Sequence, residues 1–91
     1  MQRITIDGRR MDSRADAHRY LQQQLGLPET YGRNLDALND CLSEISGHIT
    51  ITYAAAIRNT LGAYGQTLLR VFTDAAKCRG DLAVRVLDGG D

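Results

Sequence analysis

The chain has 91 residues, enough for one domain with a modest core. Eleven Lys and Arg balance eleven Asp and Glu, so no overall basic excess points to nucleic acid or to anionic membranes. No apolar run approaches a membrane span, and Met1–Gly8 lacks the apolar core of a secretory leader; the expected location is cytoplasmic.

Arg3–Asp7 alternates Ile4 and Ile6 with polar neighbours and stops at Asp7-Gly8, which predicts a first strand and a turn. Ser13 with Asp16 three residues on forms a capping-box-like start for a first helix. Ala17, Leu21 and Leu25 make its inward stripe, His18 is placed on its polar side, and Gly26 stops it. Pro28 biases Leu27 out of helical geometry and opens a turn-rich loop. Asn34 is a strong N-cap for a second helix. Leu35, Leu38, Leu42 and Ile45 are its expected core face, with Ala37 and Cys41 beside them and Gly47 ending it.

Residues 48–53 alternate and are β-branched, a second strand. A short helix over 54–63 and a stronger one opening at Gly65 follow, the latter with Leu68, Leu69, Phe72, Ala75 and Ala76 inward. Lys77 and Arg79 suit the negative end of that last helix, and Gly80 suits its stop. Leu82–Leu87 reads as a closing strand. Strands separated by helical crossovers predict an α/β fold with a small parallel sheet in a single domain over residues 1–91.

The most informative stretch is 27–42. Asp36, Asp40 and Glu44 are spaced i, i+4, i+8, and residues 34–57 contain no Lys or Arg. On one helix face such like charges repel by roughly a few tenths of a kcal/mol per pair. Three readings stand: a solvated face, a surface presented to a basic partner, or an acid pair for metal-assisted hydrolysis. The last wants a raised pKa or further ligands, and no second acidic cluster is visible. His18 and His48 are isolated, with no metal-ligand spacing around them. The ten arginines are scattered rather than gathered, with few aromatics. The serines lack a nucleophile-elbow context, and Cys41 and Cys78 have no C-x-x-C spacing, so two reduced thiols are expected. Tyr31 and Tyr64 sit beside glycines and fit packing or contact roles. Neither catalytic residues nor a metal or cofactor are expected.

Leu27-Pro28-Glu29, Tyr31-Gly32, Asn34-Leu35-Asp36-Ala37-Leu38 and Asp40-Cys41-Leu42 closely resemble the central segment of the barstar family, the intracellular inhibitors of barnase-type ribonucleases. Ser13-x-x-Asp16-x-His18, Val71-Phe72 and the Asp81–Leu87 strand extend the resemblance nearly end to end. It implies a barstar-like three-stranded parallel sheet with the first strand central, packed with about four helices. It also implies a protein that is not an enzyme and that occludes a ribonuclease's basic active site in a 1:1 complex, as a monomer and without direct contact to nucleic acid. Asp40 then takes the place of the substrate phosphate and Asp36 meets neighbouring basic groups. Thr30, Tyr31, Arg33, Asn34, Asn39, Glu44 and Ile45 complete the contact surface, and Asp74 falls where the family has a rim-contacting Glu. The chain departs from the family at Thr30, Asn39 and Ile45, which replace aromatics, at Glu44, which replaces Gly, and at Arg33, which replaces an acid. These departures point to a secreted or toxin-type ribonuclease other than barnase, in a self-protection or competition system. An arginine-mediated RNA-binding module is the runner-up.

Overall fold

In the computed structural model, which describes residues 2–77 and 79–90, local signals and packing agree over most of the chain. The elements run β1 (Gln2–Asp7), a short 3-10 turn (Gly8–Arg10), α1 (Arg14–Leu25), α2 (Leu35–Leu42), β2 (Gly47–Thr52), α3 (Ala54–Leu61), α4 (Ala63–Lys77) and β3 (Leu82–Val86). The three strands form one parallel sheet. Its order is β1-β2-β3, so β2 is central and not the first strand. Each helical pair carries the chain over by a single strand spacing in the same sense. The strand in the middle of the sequence is therefore also the middle of the sheet.

The register puts Ile6 opposite Ile51, Ile4 opposite Ile49, and Gly47 opposite Leu82. Ile6, Ile49, Ile51 and Leu82 turn inward under the helices. Their alternates Arg3, Thr5, His48, Ala83 and Arg85 are exposed on the other face. α1 packs on β1 and α4 on β3, closing the inner face, and α2 and α3 pack against α4.

The boundaries differ from expectation by a residue or two at the ends of α3 and β3, and more tellingly in three places. β2 ends at Thr52, because Tyr53 adopts φ 54° and starts α3 from a left-handed position. α4 begins at Ala63, so Gly65 lies inside its first turn. Gly65 is there because α4 passes hard against α3: an added Cβ would overlap the Ile57 carbonyl oxygen, which is backbone and cannot swing away. Gly65→Ala should therefore destabilise the fold by about 1–3 kcal/mol despite alanine's better helix propensity. A thermal melt checks this; an unchanged or raised midpoint would contradict the close approach. The third difference is in α2, which ends at Leu42, well short of Gly47, and leaves Glu44 in the following turn.

His18 requires the largest correction. It is not on the polar side of α1 but 1% exposed, among the fully buried side chains. Its spacing to Leu21 and Leu25 is i, i+3, i+7, the same inward stripe. Burial is tolerable because both ring nitrogens are bonded, Nδ1 to the Tyr31 hydroxyl at 2.7 Å and Nε2 to the Tyr64 hydroxyl at 2.5 Å. No buried side-chain polar atom among the described residues lacks a partner.

Candidate functional site: the 27–45 loop and helix

α1 ends on Gly26 at φ 65°, whose N–H bonds back to the Gln22 carbonyl, as does that of Leu27. The chain then turns at once, with the Tyr31 N–H on the Pro28 carbonyl at 3.0 Å. Gln22, a residue that sequence reading passed over, holds both ends of this loop. Its Nε2 donates to the Pro28 carbonyl at 2.8 Å, and its Oε1 accepts from Arg33 Nη2 at 3.2 Å. Gln22 is a half-buried polar residue of α1 with no local motif around it, so only the loop's path shows its use.

Tyr31 pins the loop from beneath. Its side chain is 6% exposed and its hydroxyl meets His18, which in turn meets Tyr64 on α4. A neutral imidazole donates from one nitrogen and accepts at the other, so one hydroxyl accepts while the other donates. Burial holds His18 below its ordinary value and raises the Tyr31 and Tyr64 hydroxyls, with Arg14 over the Tyr64 ring opposing the last. The bridge is thus neutral near pH 7. Thr30, Gly32 and Arg33 are exposed above it. Arg33 has φ 54°, a left-handed conformation that costs a side-chain-bearing residue of order 1 kcal/mol or more.

Asn34 then caps α2 as expected, its Oδ1 accepting from the Ala37 N–H at 2.7 Å. Leu38 and Leu42 are fully buried; Leu35, Ala37, Cys41 and Ile45 are partly so. Burying a leucine stabilises by roughly 1.5–3 kcal/mol. Two of them therefore far outweigh the few tenths lost to Asp36–Asp40 repulsion. Asp36, Asn39 and Asp40 are exposed on the helix, and Glu44 is exposed in the turn after it. None of the three acids forms an ion pair with any described residue. Asp74, on the exposed side of α4, is bonded to Lys77 at 3.3 Å. Cys41 is a free thiol whose pKa is raised by burial and by the neighbouring Glu44 and Asp40 carboxylates, so it should react slowly. Cys78 lies outside the described residues.

α2 does not finish on glycine. Its last carbonyls are satisfied by a tightening turn, Ser43 N–H on Asn39 O, Glu44 N–H on Cys41 O and Ile45 N–H on Leu42 O, with Ser43 Oγ on Asp40 O. Arg79 comes from the approach to β3 and donates to the carbonyls of Leu42 and Ile45. It was expected to serve the end of α4; the fold turns it to α2 instead.

Among the described residues, no group of three or more His, Cys, Asp or Glu could hold a metal ion. No helix among them is long and apolar enough to cross a membrane. What the site presents is a pinned loop and a two-turn helix carrying unpaired carboxylates into solvent.

The profile of the family described as Barstar (barnase inhibitor) matches residues 1–87. A protein of Bacillus subtilis (strain 168) named "Putative ribonuclease inhibitor YrdF" is 36% identical over 81 residues, spanning 82% of this chain and 86% of that relative.

Proposed function

This chain belongs to the barstar family, and we propose from that premise that it inhibits a ribonuclease by covering its active site with α2 and the loop before it. The observation that carries the reading is the pair Asp36 and Asp40, exposed on a capped and anchored helix and in no ion pair with any described residue. A phosphodiester-cleaving enzyme gathers cations and donors around the site of an anion. Carboxylates fixed on a rigid helix can fill that site, with charge-assisted bonds that arginine makes in pairs. Asp40 occupies the phosphate's place, Asp36 the groups next to it, and Asp74 meets the rim. Thr30, Arg33, Asn39, Glu44 and Ile45 border the contact. Tyr31 and Asn34 shape it, the first from the core and the second as the helix cap. The strained backbone at Arg33 is consistent with a loop held in one shape for contact. No catalysis by this chain is required. The partner is a small secreted or toxin-type ribonuclease, bound 1:1 in the cytoplasm, where inhibition protects the cell.

Partner choice follows from the residues that border the carboxylates. Aromatic anchors dominate many interfaces, and Thr30, Asn39 and Ile45 supply none. Barnase should therefore be inhibited only weakly, in the micromolar range or above. Thr30→Tyr combined with Asn39→Trp should tighten that inhibition by about tenfold or more. Nanomolar inhibition of barnase by the parent chain would show that these positions do not set partner choice.

A second reading rests on a separate observation. The uncovered sheet face brings Arg3, His48 and Arg85 together around a shallow trough with no carboxylate in its lining. RNA affinity that survives loss of both Asp36 and Asp40 would favour it over inhibition.

A further inference from the structure

α2 is eight residues long, too short to hold its own direction. Its amino end is fixed by the Asn34 cap and by the loop pinned on Gln22 and Tyr31. Its carboxy end has no glycine stop and closes in a tightening turn through Ile45. Arg79 clamps that turn from outside. One guanidinium nitrogen donates to the Leu42 carbonyl and another to the Ile45 carbonyl at 2.6 Å. The same guanidinium is held from behind by Asp81, through Nε at 3.0 Å and Nη2 at 3.2 Å. That pairing lowers the Asp81 pKa. The Arg79 side chain is only 21% exposed. The Gly47 N–H bonds to the Asp81 carbonyl at 2.8 Å, so the turn after α2 and the approach to β3 are joined at both levels, side chain and backbone.

We propose that Arg79 is a positioning residue of the inhibitory surface: its fork on the end of α2, braced by Asp81, fixes the direction in which Asp36 and Asp40 point. The proposal rests on α2 being the surface that meets the ribonuclease. Arginine is required because a guanidinium reaches two carbonyls and a carboxylate at once in a planar fork. A lysine ammonium offers a single point. Charge alone predicts the opposite outcome to positioning. Removing a cation from the inhibitor should help it approach a basic enzyme, whereas releasing α2 should hinder binding.

The test uses the full chain, barnase as the probe enzyme, and four variants: Arg79→Ala, Arg79→Lys, Asp40→Ala, and Arg79→Ala with Asp40→Ala. Arg79→Ala should weaken barnase inhibition by about tenfold, within the range of coupled neighbours. Arg79→Lys should recover little of it. In the Asp40→Ala background the Arg79→Ala loss should shrink to about threefold or less, because the dominant carboxylate is gone and only Asp36 remains to be aimed. Amide exchange at Leu38–Leu42 should quicken in Arg79→Ala, while Ile49 and Ile51 in β2 stay protected. Inhibition by Arg79→Ala equal to or better than the parent would overturn the proposal. So would losses that simply add in the double variant, or exchange that quickens evenly through β2. If Asp40→Ala inhibits as well as the parent, the phosphate-mimic reading falls. The exchange result then decides Arg79's role: selective loosening of α2 upholds it, and uniform loosening removes it.

Discussion

Asp40→Ala should cost the inhibitor about 2–5 kcal/mol of binding to its ribonuclease, a loss of about 30-fold to several thousand-fold. That range is the general one for truncating a desolvated charge pair at an interface, and the barnase–barstar complex is itself a leading case of it. Most of the loss comes from the enzyme's side. Once the interface closes, its basic groups have given up water, and without Asp40 they stay buried and unpaired. Asp40→Asn keeps the shape but not the charge and should also fail. Asp36→Ala should come next. Glu44→Ala should matter less and act mainly on the association rate, because Glu44 sits in the turn beyond the helix. Folding should survive all of these changes. Asp40 is exposed, lies toward the negative end of α2 and faces Asp36 four residues away, so alanine there should be neutral or stabilising by a few tenths of a kcal/mol. Paired inhibition assays and melts separate the two effects. A variant that melts like the parent and inhibits like the parent would remove Asp40 from the contact.

His18→Ala should lower stability by about 2–5 kcal/mol, through the cavity it leaves and the Tyr31 and Tyr64 hydroxyls it strands. For a domain of this size that corresponds to a fall in melting temperature of about 10 °C or more. Inhibition measured below the melt should weaken too, because the loop loses its anchor at Tyr31. A midpoint within about 2 °C of the parent would show that the bridge carries little energy. The same residue predicts a pH dependence. Burial lowers the His18 pKa in the folded state, so below the ordinary histidine value of about 6.5 the unfolded chain takes up a proton that the folded chain resists. Stability should therefore fall as pH drops through about 6.5, and the loss should level off once the pH passes below the folded-state pKa. His18→Gln should flatten that segment of the profile.

Much of the fold was legible because short-range signals carry it. Ser13 and Asn34 cap the helices read from them, Gly26 stops α1, and the alternation in residues 3–7 and 48–53 marks two of the strands. What escaped depends on contacts between distant residues. The strand order depends on where two crossovers land, and the family resemblance gave it wrongly for this chain. His18 looked polar because its chemistry outweighed its helical phase, and its two tyrosine partners lie 13 and 46 residues away. Arg79 fitted the dipole of the preceding helix well enough to hide a use at the end of α2 and the turn after it, where the accepting carbonyls are 37 and 34 residues distant. The exposed aspartates were readable from spacing, but their orientation is set by Gln22, Tyr31 and Arg79, none of which has a local signature. Arg3 and Arg85 looked scattered in sequence and meet on one face only because their strands flank β2.

The most direct test of active-site occlusion is a steady-state assay of barnase, or of the ribonuclease that co-purifies with the tagged chain from its own cells. The inhibition constant is measured across a series of RNA substrate concentrations. If α2 and its loop occupy the phosphate site, inhibition is competitive: the apparent constant rises linearly with substrate concentration, and added salt weakens inhibition. An apparent constant that does not change with substrate would place the chain elsewhere on the enzyme and contradict occlusion.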